Sequence, residues 1–316
     1  MQDDTTRPDT AATGPADEAG HSPDDGVPPP RDGLVALAAF DGWNDAGSAA
    51  TSALAFVAED WDTETLAVLD PEEYHDLQVN RPRVERGPDG SRILTFPRTE
   101  VLLATSPSTG ERLVIVRGVE PSLRWSRYCA EILDALEAAG VRTLVSVGAL
   151  LADVPHTRPI PVQSSSDDPA IQEALGLSSP DYEGPTGIVG VLGALSQERG
   201  LSAIGMWAAV PHYVSQPPSP KATLALLVAL EDLVGMSLPT RDLAEDAAAW
   251  QRAVDELAQE DDDVAEYVEM LEESKDTAEL PEASGEAIAR EFERYLRRRD
   301  GGSPDKGSGP PPPTGR

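Results

Sequence analysis

LVALAAFDGWNDAGSAATSALAFVAED, residues 34–60, is the stretch on which the fold turns. Leu34 to Phe40 is an uninterrupted apolar run, which reads as a strand buried on both faces. The small-residue segment from Ser48 to Ala58 reads as a helix. Between them stands DGWNDAG, residues 41–47, with two Asp, one Asn, one Trp and two Gly. The turn is either a ligand-binding loop or simply the way a strand becomes a helix.

The same alternation continues outward. Residues 65–70, 100–105, 112–118, 143–151 and 202–210 read as strands. Residues 121–140, 168–177, 187–200 and 220–235 read as helices, and Gly140 stands where a C-terminal cap is wanted. Alternation of this kind predicts an α/β chain with a mostly parallel sheet. Asp89-Gly90 predicts a tight hairpin, hence some antiparallel pairing. From Leu243 the pattern changes. Leu243, Ala247, Trp250, Val254, Leu257, Val264, Val268 and Leu271 recur at spacings of three and four, the narrow seam of a helix seeking a partner. Asp261 falls where the seam expects an apolar residue, which predicts a bend. A last helix is expected over 284–299, with Arg294, Arg297, Arg298 and Arg299 at its end. Residues 1–32 and 300–316 hold few large apolar side chains and read as disordered tails. The expected division is therefore tail 1–32, α/β domain 33–238, helical extension 239–299 and tail 300–316.

Composition excludes several function classes. The chain has 56 acidic and 25 basic residues and a net charge of −31. That balance argues against nucleic acid and anionic membrane surfaces as partners, because phosphate contacts need clustered Lys and Arg. The single cysteine, Cys129, allows no disulfide and no cysteine-based zinc site, and it reads as a buried helix thiol. No apolar run reaches eighteen residues, so no membrane span is expected. No basic-then-apolar leader is visible, and a cytoplasmic location follows by elimination. G-x-G-x-x-G, Gly-Lys-Ser/Thr, G-x-S-x-G and H-E-x-x-H are all missing, and the acidic run 260–263 lacks calcium-loop spacing. No cofactor and no metal are expected.

In an open parallel sheet, ligands bind beyond the carboxyl ends of the strands. The segments that follow the expected strands are therefore the places to search for chemistry. They supply Asp41, Asn44 and Asp45, then Glu120, then His156 and Arg158, then His212. All should lie along one rim. For Asp41, Asn44 and Asp45, the simpler reading is turn and helix-cap chemistry. For His156 and His212, each preceded by Pro, it is a turn whose carbonyls the ring satisfies. The other reading gathers Asp41, Asn44, Asp45, His156, Arg158 and His212 into one ligand pocket. Histidine would carry protons there and Arg158 would hold a carboxylate or phosphate. No catalytic nucleophile and base can be named.

Five segments in order, LVALAAFDGWNDAGSAATSAL, RGVEPSLRWSRYCAEIL, VSVGALLADVPHTRPIPV, YEGPTGIVGVLGAL and MWAAVPHYVSQPPSPKATLALL, resemble the proteasome assembly chaperone 2 family in its actinobacterial branch. The resemblance spans about residues 33–298. It implies a three-layer α/β/α sandwich of phosphorylase/hydrolase-like architecture. It also implies self-association, a trimer being preferred, and proteasome-related protein partners. Relatives that dock on the proteasome typically do so with a tail ending hydrophobic–Tyr–any. This chain ends Pro313-Thr314-Gly315-Arg316, so that docking route is not expected. An assembly or scaffold role without catalysis is the expected function. The alternative is a small-molecule binder, or a hydrolase or phosphorylase acting on a nucleoside-like ligand at the rim.

Overall fold

The computed structural model describes residues 33–279. In chain order the elements are β1 (Leu34–Asp41), α1 (Ala49–Asp60), β2 (Asp62–Leu69), α2 (Pro71–Tyr74), β3 (Arg83–Arg86), β4 (Arg92–Thr95), β5 (Thr99–Thr105) and β6 (Arg112–Val119). Then come α3 (Trp125–Ala138), β7 (Val141–Ala152), β8 (Val162–Ser165), α4 (Pro169–Leu175), α5 (Ile188–Glu198), β9 (Ser202–Pro211), α6 (Pro220–Val234), α7 (Leu243–Glu260) and α8 (Asp262–Glu279). The expected tails and the helix over 284–299 lie outside the described residues.

Seven strands form one sheet in the order β2-β5-β6-β1-β7-β9-β8. β1 pairs in parallel with β6 and β7, and β7 in parallel with β9. β5 pairs antiparallel with both β6 and β2, and β8 antiparallel with β9. β1 shows why its sequence is apolar from Leu34 to Phe40. Leu37 and Ala39 enter the core beneath α1 and α6, while Ala36, Ala38 and Phe40 enter the core beneath α3 and α5. A central strand covered on both faces has no polar side. The small residues Ala49, Ala50 and Ala53 let α1 approach the sheet closely and are fully buried. The result is a three-layer α/β/α sandwich with a mostly parallel sheet.

Local signals fix several ends. Gly140 takes φ +81°, the left-handed conformation a helix C-terminus asks for. The α3 helix begins at Trp125, four residues later than the sequence pattern predicts. Arg124 sits at φ +55°, and the backbone amides of Ser122 and Leu123 donate to the carbonyl of Tyr74 instead of starting a helix. Cys129 is buried on α3, and burial pushes its thiol up to about 12. The Asp89-Gly90 hairpin joins β3 to β4, which form a two-stranded ribbon separate from the main sheet.

The seam helix breaks at Asp261, which is extended at φ −130°, ψ 106°. The Asp261 carboxylate then accepts from the amides of Asp263 and Val264 and so starts α8. α7 packs on α6, and α8 packs on α7. Leu243, Ala247, Val254, Val268 and Leu271 of the seam are buried within the same chain, whereas Leu257 stays exposed. None of the described helices is long and apolar enough to cross a membrane.

Candidate functional site

β1, β6, β7 and β9 run in one direction, so the loops that follow them share one rim of the sheet. Every candidate side chain lies on that rim. They divide into two hydrogen-bonded groups.

The first group belongs to the β1–α1 turn. Asp45 is buried and its carboxylate caps α1: Oδ1 accepts from the amide of Ala50 at 2.8 Å and of Thr51 at 3.2 Å, and Oδ2 accepts from the Thr51 hydroxyl. Burial pushes the Asp45 carboxyl above its ordinary range, and those three bonds oppose the rise. Asn44 is buried beside it. The Asn44 carbonyl accepts from the amide of Ala149 on β7 at 2.8 Å. Its side-chain Nδ2 donates to Glu120 Oε1 at 3.4 Å. The same Glu120 oxygen accepts from the amide of Ile188 at 2.9 Å, at the first turn of α5. An acceptor there suits the positive end of a helix. Asp41 is exposed, and its carbonyl accepts from the amide of Glu120 at 2.8 Å. Gly47 closes the turn at φ +61°, and a Cβ there would stand 2.7 Å from Ser219 Cβ. Trp43 projects into solvent, 67% exposed.

The second group belongs to the β7–β8 and β9–α6 loops. His156 is 1% exposed. Its Nδ1 lies 2.7 Å from the Tyr213 hydroxyl, which also accepts from the His156 amide at 2.7 Å. Its Nε2 lies 2.9 Å from Asp255 Oδ1 on α7. A carboxylate only accepts, so Nε2 carries the proton, and the Tyr213 hydroxyl donates to Nδ1. Burial lowers the His156 pKa from its ordinary value of 6.5, and Asp255 opposes that shift. Burial also holds Tyr213 up at about 12, which leaves the phenol a neutral donor. Lys221, at the start of α6, donates to the carbonyl of His156, and to Gln251 Oε1 on α7 at 2.7 Å. Burial lowers the Lys221 pKa.

Arg158 reaches α8. Its Nε and Nη2 donate to the two oxygens of Asp276 at 2.8 and 2.7 Å, and Nη1 donates to Glu272 at 3.3 Å. The guanidinium pulls the Asp276 carboxyl below its ordinary range. Thr157 donates to the same Glu272. His212 Nδ1 lies 3.2 Å from Asp153, whose carboxylate also accepts from the Tyr267 hydroxyl at 3.1 Å. The rings of His156, Tyr213, His212 and Tyr267 stand edge to face at centroid distances of 5.4–6.0 Å.

The structure thus brings His156, Arg158 and His212 into one cluster, and Asn44, Asp45 and Glu120 into another. The two meet through backbone: Asp45 bridges to Ala149, and the Ser219 amide donates to the Gly47 carbonyl at 2.9 Å. Sequence reasoning missed the partners supplied by α7 and α8. Gln251 and Asp255 are four residues apart, as are Glu272 and Asp276, so each pair shares a helix face. That spacing was a signal, though it names no target. Among the described residues, no three His, Cys, Asp or Glu side chains converge as metal ligands.

A three-layer α/β/α sandwich whose strand-end rim is clasped by its own C-terminal helices is the class that fold and site define. The model of the PAC2 family matches residues 39–258, and the chain belongs to that family. Similar solved structures agree. A PAC2 family protein from Streptomyces avermitilis is 50% identical, covers 74% of this chain and 99% of its own, and superposes with a TM-score of 0.69. A proteasome-assembly chaperone homologue from Mycobacterium tuberculosis is 44% identical, covers 74% and 100%, and gives 0.67. An archaeal proteasome activator from Pyrococcus furiosus shares the fold at 15% identity, covering 73% and 96%, with a TM-score of 0.57. Among curated proteins, none matches this sequence.

Proposed function

We propose that this is a self-associating, non-catalytic assembly-chaperone-type protein of the cytoplasm, acting on proteasome-related partners. The observation that carries this reading is the use made of the rim. In an open parallel sheet the strand ends are where a ligand would sit. Here His156, Arg158 and Lys221 bind Asp255, Asp276, Glu272 and Gln251 of the chain's own α7 and α8. Groups with the chemistry to hold a substrate instead hold two helices. Trp43, Leu123, Leu150 and Leu151 stand exposed at the same rim, a composition suited to contact with protein. The 44% identity to a proteasome-assembly chaperone homologue supports the choice of partner.

The test is reconstitution. Purified α- and β-type proteasome subunits from one host are mixed with and without the full-length protein. Assembled particles are counted by native mass spectrometry. A chaperone raises the yield or rate of assembly. Unchanged assembly, together with no subunit complex at micromolar concentration, overturns the reading.

A further inference from the structure

The β3–β4 ribbon is built to be covered. It pairs four residues with four, and two strands alone are marginal in water. All eight of its strand residues are exposed. Val84 stands directly opposite Leu94, and Arg86 directly opposite Arg92. Residues two apart on a strand share a face, so one face of the ribbon carries an apolar pair beside a pair of guanidiniums. Val84 is 52% exposed and Leu94 56%. Like charges directly opposite are unfavourable, and the one bond made by Arg86 among the described residues, to the carbonyl of Gly90 in its own hairpin at 3.3 Å, does not neutralise the pair. Residues 81–98 hold five Arg against Glu85 and Asp89, a basic island in a chain of net charge −31.

The complementary surface is on the same molecule. Where α7 breaks into α8, a groove of about 370 Å³ is lined by Val214, Val254, Leu257 and Val264, and edged by Glu260 and Asp261. Leu257 is 59% exposed there. The ribbon departs between β2 and β5 on one flank of the sheet, and the groove lies beyond β9. Four strand spacings separate β5 from β9, or roughly 19 Å, and the exposure of Val84, Leu94 and Leu257 shows that within one copy neither surface covers the other.

We propose that the ribbon of one copy docks into the α7–α8 groove of a second copy, Val84 and Leu94 against the groove's valines and Leu257, Arg86 and Arg92 against its acidic edge. The inference rests on the self-association proposed above and names its interface. Such a contact is heterologous, head to tail, and makes a ring when its rotation closes. The charge pairs give it salt sensitivity.

Sedimentation velocity and native mass spectrometry of the full-length chain test it, with circular dichroism as the folding control. The ribbon's residues are exposed, so R86E/R92E should fold normally. It should dissociate the oligomer, with self-association weakened at least tenfold. E260R should weaken it to a lesser degree; Glu260 is chosen because Asp261 caps α8. The triple variant R86E/R92E/E260R should recover part of the lost association. A wild-type protein that is monomeric at 100 μM removes self-association itself. An oligomer that survives R86E/R92E leaves self-association standing and overturns this interface. So does dissociation by R86E/R92E without any response to E260R or recovery in the triple variant.

Discussion

The two halves of the rim use similar residues for different ends. Around Asn44, Asp45 and Glu120, polar groups bind amides that the α/β domain itself leaves open: the first turn of α1, the first turn of α5 and the edge of β7. Asp45 and its partners are five and six residues apart. Around His156 and Arg158, the same kinds of side chain bind α7 and α8, across 99 and 118 residues. The first half locks the sandwich together. The second attaches an extension to it. Damage to the first should therefore lower global stability, and damage to the second should loosen two helices while the sheet stays intact.

The largest effect is expected at the junction. Gly47→Ala forces a side chain into the left-handed region and within 2.7 Å of Ser219 Cβ. Strain and overpacking together should cost about 3 kcal/mol. That corresponds to a fall in Tm of roughly 6–12 °C for a domain of this size. Thermal unfolding followed by circular dichroism measures it. A Tm within 1 °C of wild type would mean that this turn is not tied to α6 as the structure has it.

His156→Ala should act on the other half. It removes both ring contacts and leaves Tyr213 and Asp255 without their shared partner. The expected cost is about 2 kcal/mol. Hydrogen exchange should show faster amides in α7 and α8, with β1 and β7 unchanged. The same helices should respond to pH. His156 titrates lower in the folded chain than its ordinary 6.5, so folding favours the neutral ring. The stabilisation is complete above pH 6.5 and is lost as pH falls through the lower folded value. Acidification through that window should raise exchange in α7 and α8 of the wild type, and His156→Ala should flatten the response. Uniform loosening of the whole chain would erase the distinction between the halves.

The apolar runs of β1, β6, β7 and β9 are legible because a strand buried on both faces is mostly apolar, and the few polar side chains that β7 buries, Thr143 and Ser146, are small. The break at Asp261 is legible because it violates the seam. β8 is not: Val162-Gln163-Ser164-Ser165 has neither an apolar run nor alternation, and it pairs at the sheet edge beside β9. The convergence of His156 with His212 follows from parallel strands alone, since both residues end co-directional neighbours. The engagement of His156 by Asp255 does not follow. It depends on where a helix a hundred residues away comes to rest, and the acidic face that supplies Asp255 looks like any solvated one.

Arg158 offers the smallest and finest test. Its bidentate pair with Asp276 has good geometry, but the guanidinium is a third exposed and the carboxylate about half. Pairs in such surroundings contribute about 0.2–1 kcal/mol and weaken with salt. Arg158→Ala should therefore leave Tm nearly unchanged while increasing proteolysis within α8, and 1 M NaCl should produce the same nicking in the wild type. Arg158→Lys should restore only part of the protection, because an ammonium cannot make the paired bonds to both Asp276 oxygens. Equal protection in the Ala and wild-type chains would show that α8 is held without the guanidinium, by buried Val268 and Leu271 and the Thr157–Glu272 and Tyr267–Asp153 bonds, and Arg158 would then drop out of a clasp that rests on α7 on the His156–Asp255 and Lys221–Gln251 contacts.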